Sequence, residues 1–445
     1  MPRVAILSRA QNMIDYGADC QNRFPSLWSA TAVETDPSVP LDGDAHCEVA
    51  IVGAGYTGLG AAIALQRKGV STCVLDGGFP GWGGSGRNSG AVIRGFKNSR
   101  SVLEKEFGKE HGRAMADFGA TVSDEVFALI DEFSIACDLK RTGWILPAHN
   151  KAGLARVEER VRLWTEDGFP GLSMIGRDEL ARQLGSRHYI GGMIDREGAS
   201  LNPLSYARGL ARAAISLGAR VHRESPVVRI EDQGMGWSVE TPRGTVRAEK
   251  VLLATDAYSA GLEPSLDRST ATVHTNVIAT CPLPADIAAT ILPGEQAVSD
   301  IRRILYYWHK DAQGRVLFGT RGNLRGPRSA RDFDHVQQAM LSVYPQLKGQ
   351  PIEFRWSGKV GLTGDFVPHV NQPRPGLWTS HGYCGRGVAM ATAYGKLVGR
   401  AMAANLAIAD LPVPNGPAPG LPPEPLRGLG VIAVTNLYRL LDAVN

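Results

Sequence analysis

The chain has 445 residues, of which 43% are hydrophobic and 21% charged, and its formal net charge is only +4. This length can bury a large core in two or three domains, while so small a charge excess, with no Lys/Arg run interleaved with aromatics, excludes a surface built to neutralise nucleic-acid phosphates. No run of about 18 apolar residues occurs, so a membrane-spanning helix is not expected, and residues 1–10 lack the charged start and long apolar core of a secretory signal.

Residues 1–46 read as an N-terminal arm. Phe24, Pro25, Ser26, Leu27 and Trp28, with the proline-containing 36–40 after them, predict an extended segment. It either packs on the body through Phe24 and Trp28 or forms a lid. The apolar run 49–52 predicts a buried strand. Gly53, Gly55 and Gly58 follow in G-x-G-x-x-G spacing, with Tyr56 and Thr57 between them, and a helix then ends at Gly69. Residues 71–76 predict a second strand with Asp76 at its end. In such a unit the first glycine permits a tight turn, the second lets backbone approach a pyrophosphate, and the third lets helix pack on strand. An acid roughly 20 residues on accepts hydrogen bonds from a ribose. The glycine spacing alone is weak evidence; with both strands, the helix and the acid in register it points to a dinucleotide.

Residues 77–95 are too rich in glycine for a regular element, yet they carry Trp82, Arg87, Asn88 and Arg94. A flexible loop does not need those side chains. A segment wrapping a flat ring and a phosphate does. Apolar residues from Leu103 to Phe133 recur at helical steps and predict a helix over about 99–137. Residues 143–148 predict a strand, 151–166 a charged helix, 191–202 a strand and turn, and Pro203 opens a helix to Gly218. Strands are predicted at 220–222, 226–230, 236–241 and 246–255, the last as a short strand leading into a strictly apolar one. It ends in a small polar turn of the kind found beside a nucleotide. Residues 270–355 predict a β-rich second domain with strands at 273–281, 303–309 and 315–321 and a helix over 334–344. A further strand, glycine turn and helix begins at 377, with the turn at 382–387 and the helix reaching about 405. Its first amides can face developing negative charge. The tail 411–425 is proline-rich, and 429–442 predicts a short helix that docks on the body or touches a membrane surface. Cysteines at 20, 47, 73, 137, 281 and 384 show no paired spacing. Neither a metal site nor a disulfide framework is expected, and a reducing, cytoplasmic setting is.

These pieces together resemble the FAD-dependent oxidoreductases of the D-amino-acid-oxidase/glycine-oxidase superfamily, closest to gamma-glutamylputrescine oxidase-like members. The resemblance rests on the 53–76 unit, on Gly83-Gly84-Ser85-Gly86-Arg87-Asn88-Ser89-Gly90, on 253–259, on Arg355-Trp356-Ser357-Gly358 and on 382–388, and runs from about 26 to 404. It implies an α/β (α+β overall) chain with a discontinuous Rossmann-like FAD-binding domain of the glutathione-reductase type, at 47–100, about 190–265 and 356–410. A β-sheet-rich substrate domain would take about 101–189 and 266–355, leaving 411–445 as tail and helix. Gly53, Gly55, Tyr56, Thr57 and Gly58 would lie at the FAD pyrophosphate, and Asp76, with Gly77 after it, at the adenosine ribose. Ser85, Gly86, Arg87, Asn88 and Ser89 would follow the ribityl chain and isoalloxazine. Val228 would meet adenine through its backbone, and Ala254 and Thr255 would lie near the pyrophosphate. Gly385, Arg386, Gly387 and Val388 would sit at the flavin pyrimidine edge, and Gly361 joins the implied cofactor set. Two departures stand out. Relatives often carry Ser and Gly-His-Gly where this chain has Cys384 and Gly385-Arg386-Gly387, which bears on substrate preference. Residues 358–368, where some relatives attach flavin through a cysteine, contain none, so non-covalent FAD is expected.

The implied reaction is oxidation of a C–N bond in an amine or amino acid. Hydride passes to flavin, the imine hydrolyses, and O2 takes the electrons to give hydrogen peroxide. The protein must position the C–H and select the neutral amine, so no single side chain is obliged to be a base. Strand alternation over 302–309 puts Tyr306 and Trp308 on one face and Tyr307 and His309 on the other. Tyr306 and His309 are candidates to face the substrate; the same cluster also reads as core packing. Arg94 and Arg302 either clamp a substrate carboxylate or form salt bridges. His274, His369 and His381 are structural or catalytic. Two other functions fit: a dehydrogenase passing electrons to a quinone or carrier, and a non-catalytic flavin sensor. A nicotinamide dehydrogenase needs neither 83–90 nor 382–387.

Overall fold

The computed structural model describes residues 24–259, 261–423 and 425–444. Residues 1–23, including Cys20 and the start considered for a signal segment, lie outside the described residues. A nine-stranded sheet carries the nucleotide domain. Its parallel part runs Val39–Pro40, Arg220–Arg223, Thr72–Leu75, Ala45–Val52, Gly244–Leu253, Leu377–His381. Arg229–Asp232 and Trp237–Thr241 add an antiparallel meander, and His369–Arg374 pairs antiparallel with Leu377–His381. The region 246–255, expected as two strands, is one. The first half of Gly244–Leu253 pairs with Trp237–Thr241 and its end pairs with Leu377–His381, so one strand serves two neighbours on the same flank. Val49, Ala50, Ile51 and Val52 are buried, as a continuous apolar run requires of a central parallel strand.

The helix Tyr56–Gln66 is buried from Tyr56 through Leu65. The helix Gly387–Ala404 crosses it at backbone distance. A methyl group on Gly395 would overlap the Thr57 carbonyl, and one on Gly399 would lie 2.6 Å from the Ala61 oxygen. The helix expected over 99–137 is two, Arg100–Phe107 and Lys109–Phe133, broken at Gly108 with φ +88°. Both pack into the first core beside Leu59 and Tyr206, not on the second sheet with which the sequence groups 101–189.

The second sheet has eight strands in the order Ile352–Leu362, Ala271–Thr280, Val316–Arg321, Tyr307–Lys310, Ala297–Ser299, Trp144–Ala148, Gly191–Asp195, Leu172–Gly176. It takes Gly191–Asp195 and most of Ile352–Leu362 from stretches expected in the nucleotide domain. The strand expected at 303–309 begins at Tyr307. The Asp300 carboxylate accepts the backbone N–H groups of Arg302 and Tyr306 at 3.2 and 3.0 Å, which folds the approach into a turn. Trp308 then packs between Tyr189, Phe318 and Tyr344.

The arm is not extended throughout: Leu27–Thr31 is a short helix capped by Ser26. Trp28 is buried and supports the body from below the 84–90 loop; it does not form a lid. The C-terminal helix Leu426–Val444 is longer than expected and is docked at both ends. Arg427 Nη1 donates to Thr270 O at 3.0 Å, and the Asp442 carboxylate accepts from the backbone N–H groups of Arg303 and Ile304 at 3.1 and 3.0 Å. Leu429, Leu437 and Leu440 remain exposed on its outer face. No helix among the described residues is long and apolar enough to cross a membrane. In Asp442→Ala two backbone donors lose their acceptor, a local cost of about 1–3 kcal/mol. Amide exchange across 435–444 should quicken while the global unfolding midpoint stays nearly constant; an unchanged exchange rate there would contradict the anchoring role.

Candidate active site

Three glycine segments, far apart in sequence, line one cavity of about 650 Å³. The first contributes Gly53, Gly55, Tyr56 and Thr57, the second Gly83, Gly84, Ser85, Asn88 and Ser89, and the third Cys384, Gly385, Gly387 and Val388. Asp76, Gly77, Val227, Ala254 and Thr255 complete much of the wall.

Gly53 has φ +108°, and a β-carbon there would come within 2.9 Å of the Ala254 oxygen. Gly58 lies behind the turn, where a methyl group would overlap the Gly53 carbonyl. It lets the helix start on top of the strand and does not itself line the cavity. Tyr56 N donates to Ser85 Oγ at 3.1 Å, joining the first helix turn to the second loop. The Asp76 carboxylate accepts from Ala54 N at 2.7 Å and Gly78 N at 2.8 Å. Burial pushes its carboxyl up to about 6 against those two bonds.

Asn88 shapes its own loop: Nδ2 donates to Gly84 O and Ser85 O at 3.1 and 2.9 Å, and Oδ1 accepts from Gly90 N at 2.7 Å. Behind it, Trp28 Nε1 donates to Asn88 O at 2.8 Å. His309 stacks on Trp28 and places Nε2 2.6 Å from Ser89 O. His309 therefore props the loop from outside the cavity. Arg87 points away as well, donating to Ser357 O at 2.9 Å. A side chain on Gly86 would meet the Gly81 carbonyl. At the Val228 position the wall is Val227, because Val228 N donates to Glu240 O at 2.8 Å within the sheet.

The residue that sequence reasoning passed over is Asp256. It sits at φ +44° in the turn after Gly244–Leu253, and its Oδ1 accepts from Gly382 N at 2.7 Å. The Gly361 and Ala257 amides bond it too, although burial is the larger influence and raises its pKa. Gly361 is thus part of this knot, with the Asp256 carboxylate 2.6 Å from where its β-carbon would be. The available signal was a lone acid at the end of an apolar strand, flanked by residues already assigned to the cofactor.

The four substrate-side candidates do not meet at the cavity. Arg94 forms a two-pronged pair with Asp195, at 2.9 and 2.8 Å, and lies over the Phe169 ring. Arg302 pairs with Asp300, next to His188, and stacks over Tyr306 at 4.6 Å. Tyr306 is half-buried with its ring against Phe318. His381 is neutral, pushed down to about 3 by burial, with Nε2 3.1 Å from Ser269 Oγ. Burial takes His274 down to about 4. His369 pairs with Asp365 at 2.8 Å. Cys384 has its thiol pushed up by burial and sits 3.6 Å from Thr363 Oγ1.

Walls of backbone and small residues, one helix start and a buried acid suit a long, flat, phosphorylated cofactor. The family model described as FAD-dependent oxidoreductase, DAO, matches residues 48–401, and the chain belongs to that family. Its cofactor is FAD. It is 31% identical over 401 residues to gamma-glutamylputrescine oxidoreductase of Escherichia coli, covering 89% of this chain and 93% of that one. It is likewise 31% identical over 372 residues to the probable oxidoreductase OrdL of Haemophilus influenzae, covering 82% and 84%. Among solved structures, glycine oxidase from Geobacillus kaustophilus superposes with a TM-score of 0.68 at 21% identity, over 82% of this chain and 96% of that one.

Asp256→Ala removes one acceptor from three loops at once. A loss of about 3 kcal/mol is expected from orphaning buried amides, read as a lower urea midpoint together with weaker FAD retention on gel filtration. A variant with wild-type retention would show that the loops are held independently of this carboxylate.

Proposed function

We propose that the chain oxidises a C–N bond in an amine or amino acid, on a substrate of the kind named in gamma-glutamylputrescine oxidoreductase, with O2 as electron acceptor. The observation that carries this reading is the convergence of the three glycine segments on one cavity. Gly53, Gly55, Tyr56 and Thr57 would hold the pyrophosphate, Asp76 the adenosine ribose, Ser85, Asn88 and Ser89 the ribityl chain, and Gly385, Gly387 and Val388 the flavin edge. The start of Gly387–Ala404 brings its amide dipole to that edge. Held there without a covalent link, FAD would supply the capacity to accept a hydride from the carbon bearing the amine and to be reoxidised by O2.

The chain's own part is placement and solvation. Tyr383 Oη is bonded to Thr57 Oγ1 at 2.6 Å and Ser380 Oγ at 2.9 Å, and burial raises its pKa, so it stays protonated and braces the wall. The histidines described above keep off the cavity.

Three outcomes follow. In anaerobic solution, gamma-glutamylputrescine should bleach the yellow flavin faster than N-methyl amino acids or D-amino acids, and readmitted air should yield peroxide; bleaching without peroxide would make the protein a dehydrogenase. Acid precipitation should release all FAD into the supernatant. FAD affinity should fall as pH drops through about 6, because Asp76 is charged above that value and accepts ribose hydroxyl bonds best as a carboxylate. Asp76→Asn should flatten that profile. The sign for the apoprotein is opposite: a carboxyl whose folded pKa is raised binds its proton more tightly when folded, so this group's contribution favours the fold more as pH falls from 6 toward about 4.

A further inference from the structure

A group of cations stands beside the third glycine turn, and among the described residues none of them is in an ion pair. Arg386 is fixed by Nη1, which donates to Arg94 O and Gly95 O at 2.6 and 2.8 Å. Its guanidinium lies over the Trp144 and Trp164 rings at 5.9 and 5.7 Å. Arg160 lies over the same Trp164 ring at 5.6 Å. Lys97, two residues beyond Gly95, has Nζ 5.5 Å from the centre of the Phe366 ring. Arg321 ends the strand Val316–Arg321 on the second sheet. All four are half-buried. Among the described residues none of them is ion-paired; Asp195, whose charge reaches Arg386, is held by Arg94 at 2.8 Å.

This arrangement is costly. Burial, then the charge of Arg160, pushes Arg386 down to about 9; burial, then the charge of Arg156, takes Arg160 to about 10; burial lowers Lys97, which also feels Arg386, Arg160 and Arg321. Aromatic faces offset part of the cost, about 0.5–2 kcal/mol for each stacked cation. Half-buried cations without counterions are otherwise rare, because a charge removed from water needs a partner. Gly385 and Gly387, on either side of Arg386, line the FAD cavity, as does Cys384. An anion among these side chains would therefore lie about one side-chain length from the cofactor. The expected clamp, Arg94, has a different part: its side chain is locked on Asp195, and its carbonyl aims Arg386.

We propose that Arg386, Arg160 and Lys97, with Arg321 from the second sheet, form a subsite for a substrate carboxylate remote from the oxidised amine. The substrate class is then an acidic amine, and its carboxylate supplies the missing counterion. This inference rests on the amine-oxidising reading above and refines it.

The test uses the FAD-loaded enzyme and two amines that differ only in charge, N-glutarylputrescine and its methyl ester. The ester should show a kcat/KM for anaerobic flavin reduction about 100-fold lower, the scale expected for losing a carboxylate from a partly desolvated cationic site. R386Q should lower the value for the acid by a similar factor, so that the acid-to-ester ratio collapses toward one, while R386K restores part of that ratio. Glutarate alone should perturb the flavin spectrum and raise the melting midpoint of the wild type, and do neither in R386Q. If R386Q does not fold, R160Q and K97Q are read in the same way. Equal reduction by acid and ester, with no response to glutarate, overturns the subsite and leaves amine oxidation standing. A glutarate response lost in R386Q, with no flavin reduction by either amine, upholds the subsite and overturns the amine-oxidising reading.

Discussion

The structure depends on one steric constraint: backbone must touch backbone where the first strand becomes the first helix. The Gly53 carbonyl occupies the volume that a side chain at Gly58 would fill. That contact sets the helix directly on the strand end, with its first amides turned toward the cavity. The same economy continues outward. Gly395 and Gly399 bring the Gly387–Ala404 helix to within van der Waals reach of the Tyr56–Gln66 backbone. The first and third glycine segments therefore reach the cavity at a fixed separation, because close-packed backbones have little room to slide.

The second loop is positioned by polar bonds. Asn88 closes it on itself, Ser85 ties it to the helix start, and Trp28 and His309 hold its carbonyls from behind. Asp256 performs a similar task for Gly361 and Gly382. The side chains that shape the cavity thus point mostly into the protein, and the backbone they organise faces the ligand. Several residues expected to touch cofactor, among them Arg87, Gly86 and Gly58, act from this outer layer.

Charge is distributed unevenly around the site. Carboxylates sit where they knot loops or meet a guanidinium, as with Asp256 and Asp195. The cations near Arg386 lie against aromatic faces and backbone carbonyls, with no ion pair among the described residues. A folded protein tolerates that imbalance where a ligand completes it, and the proposed subsite would put the discrimination between substrates in the region of Lys97 and Arg386, away from the phosphate-binding turn.

By itself the sequence determined the strand–turn–helix unit, the two other glycine segments and the family they resemble, because these rest on local rules: a glycine where no side chain fits, an apolar run for a central strand, an acid at a strand end. It also predicted apolar strands far from 47–76, and the nine-stranded sheet gathers Arg220–Arg223, Gly244–Leu253 and Leu377–His381 beside that unit. Tertiary structure alone decided which side chains face the cavity. The sequence left Arg94 and Arg302 between a substrate clamp and salt bridges, and only the approach of Asp195 and the turn at Asp300 paired them within the protein. His309 became a support for a loop through a neighbour at Ser89, 220 positions away. The helices between 100 and 133 joined the first core, where Phe118 meets the Tyr394 ring of the Gly387–Ala404 helix, a choice that periodicity does not contain. Pairing across such distances depends on how layers stack, and no local pattern encodes it.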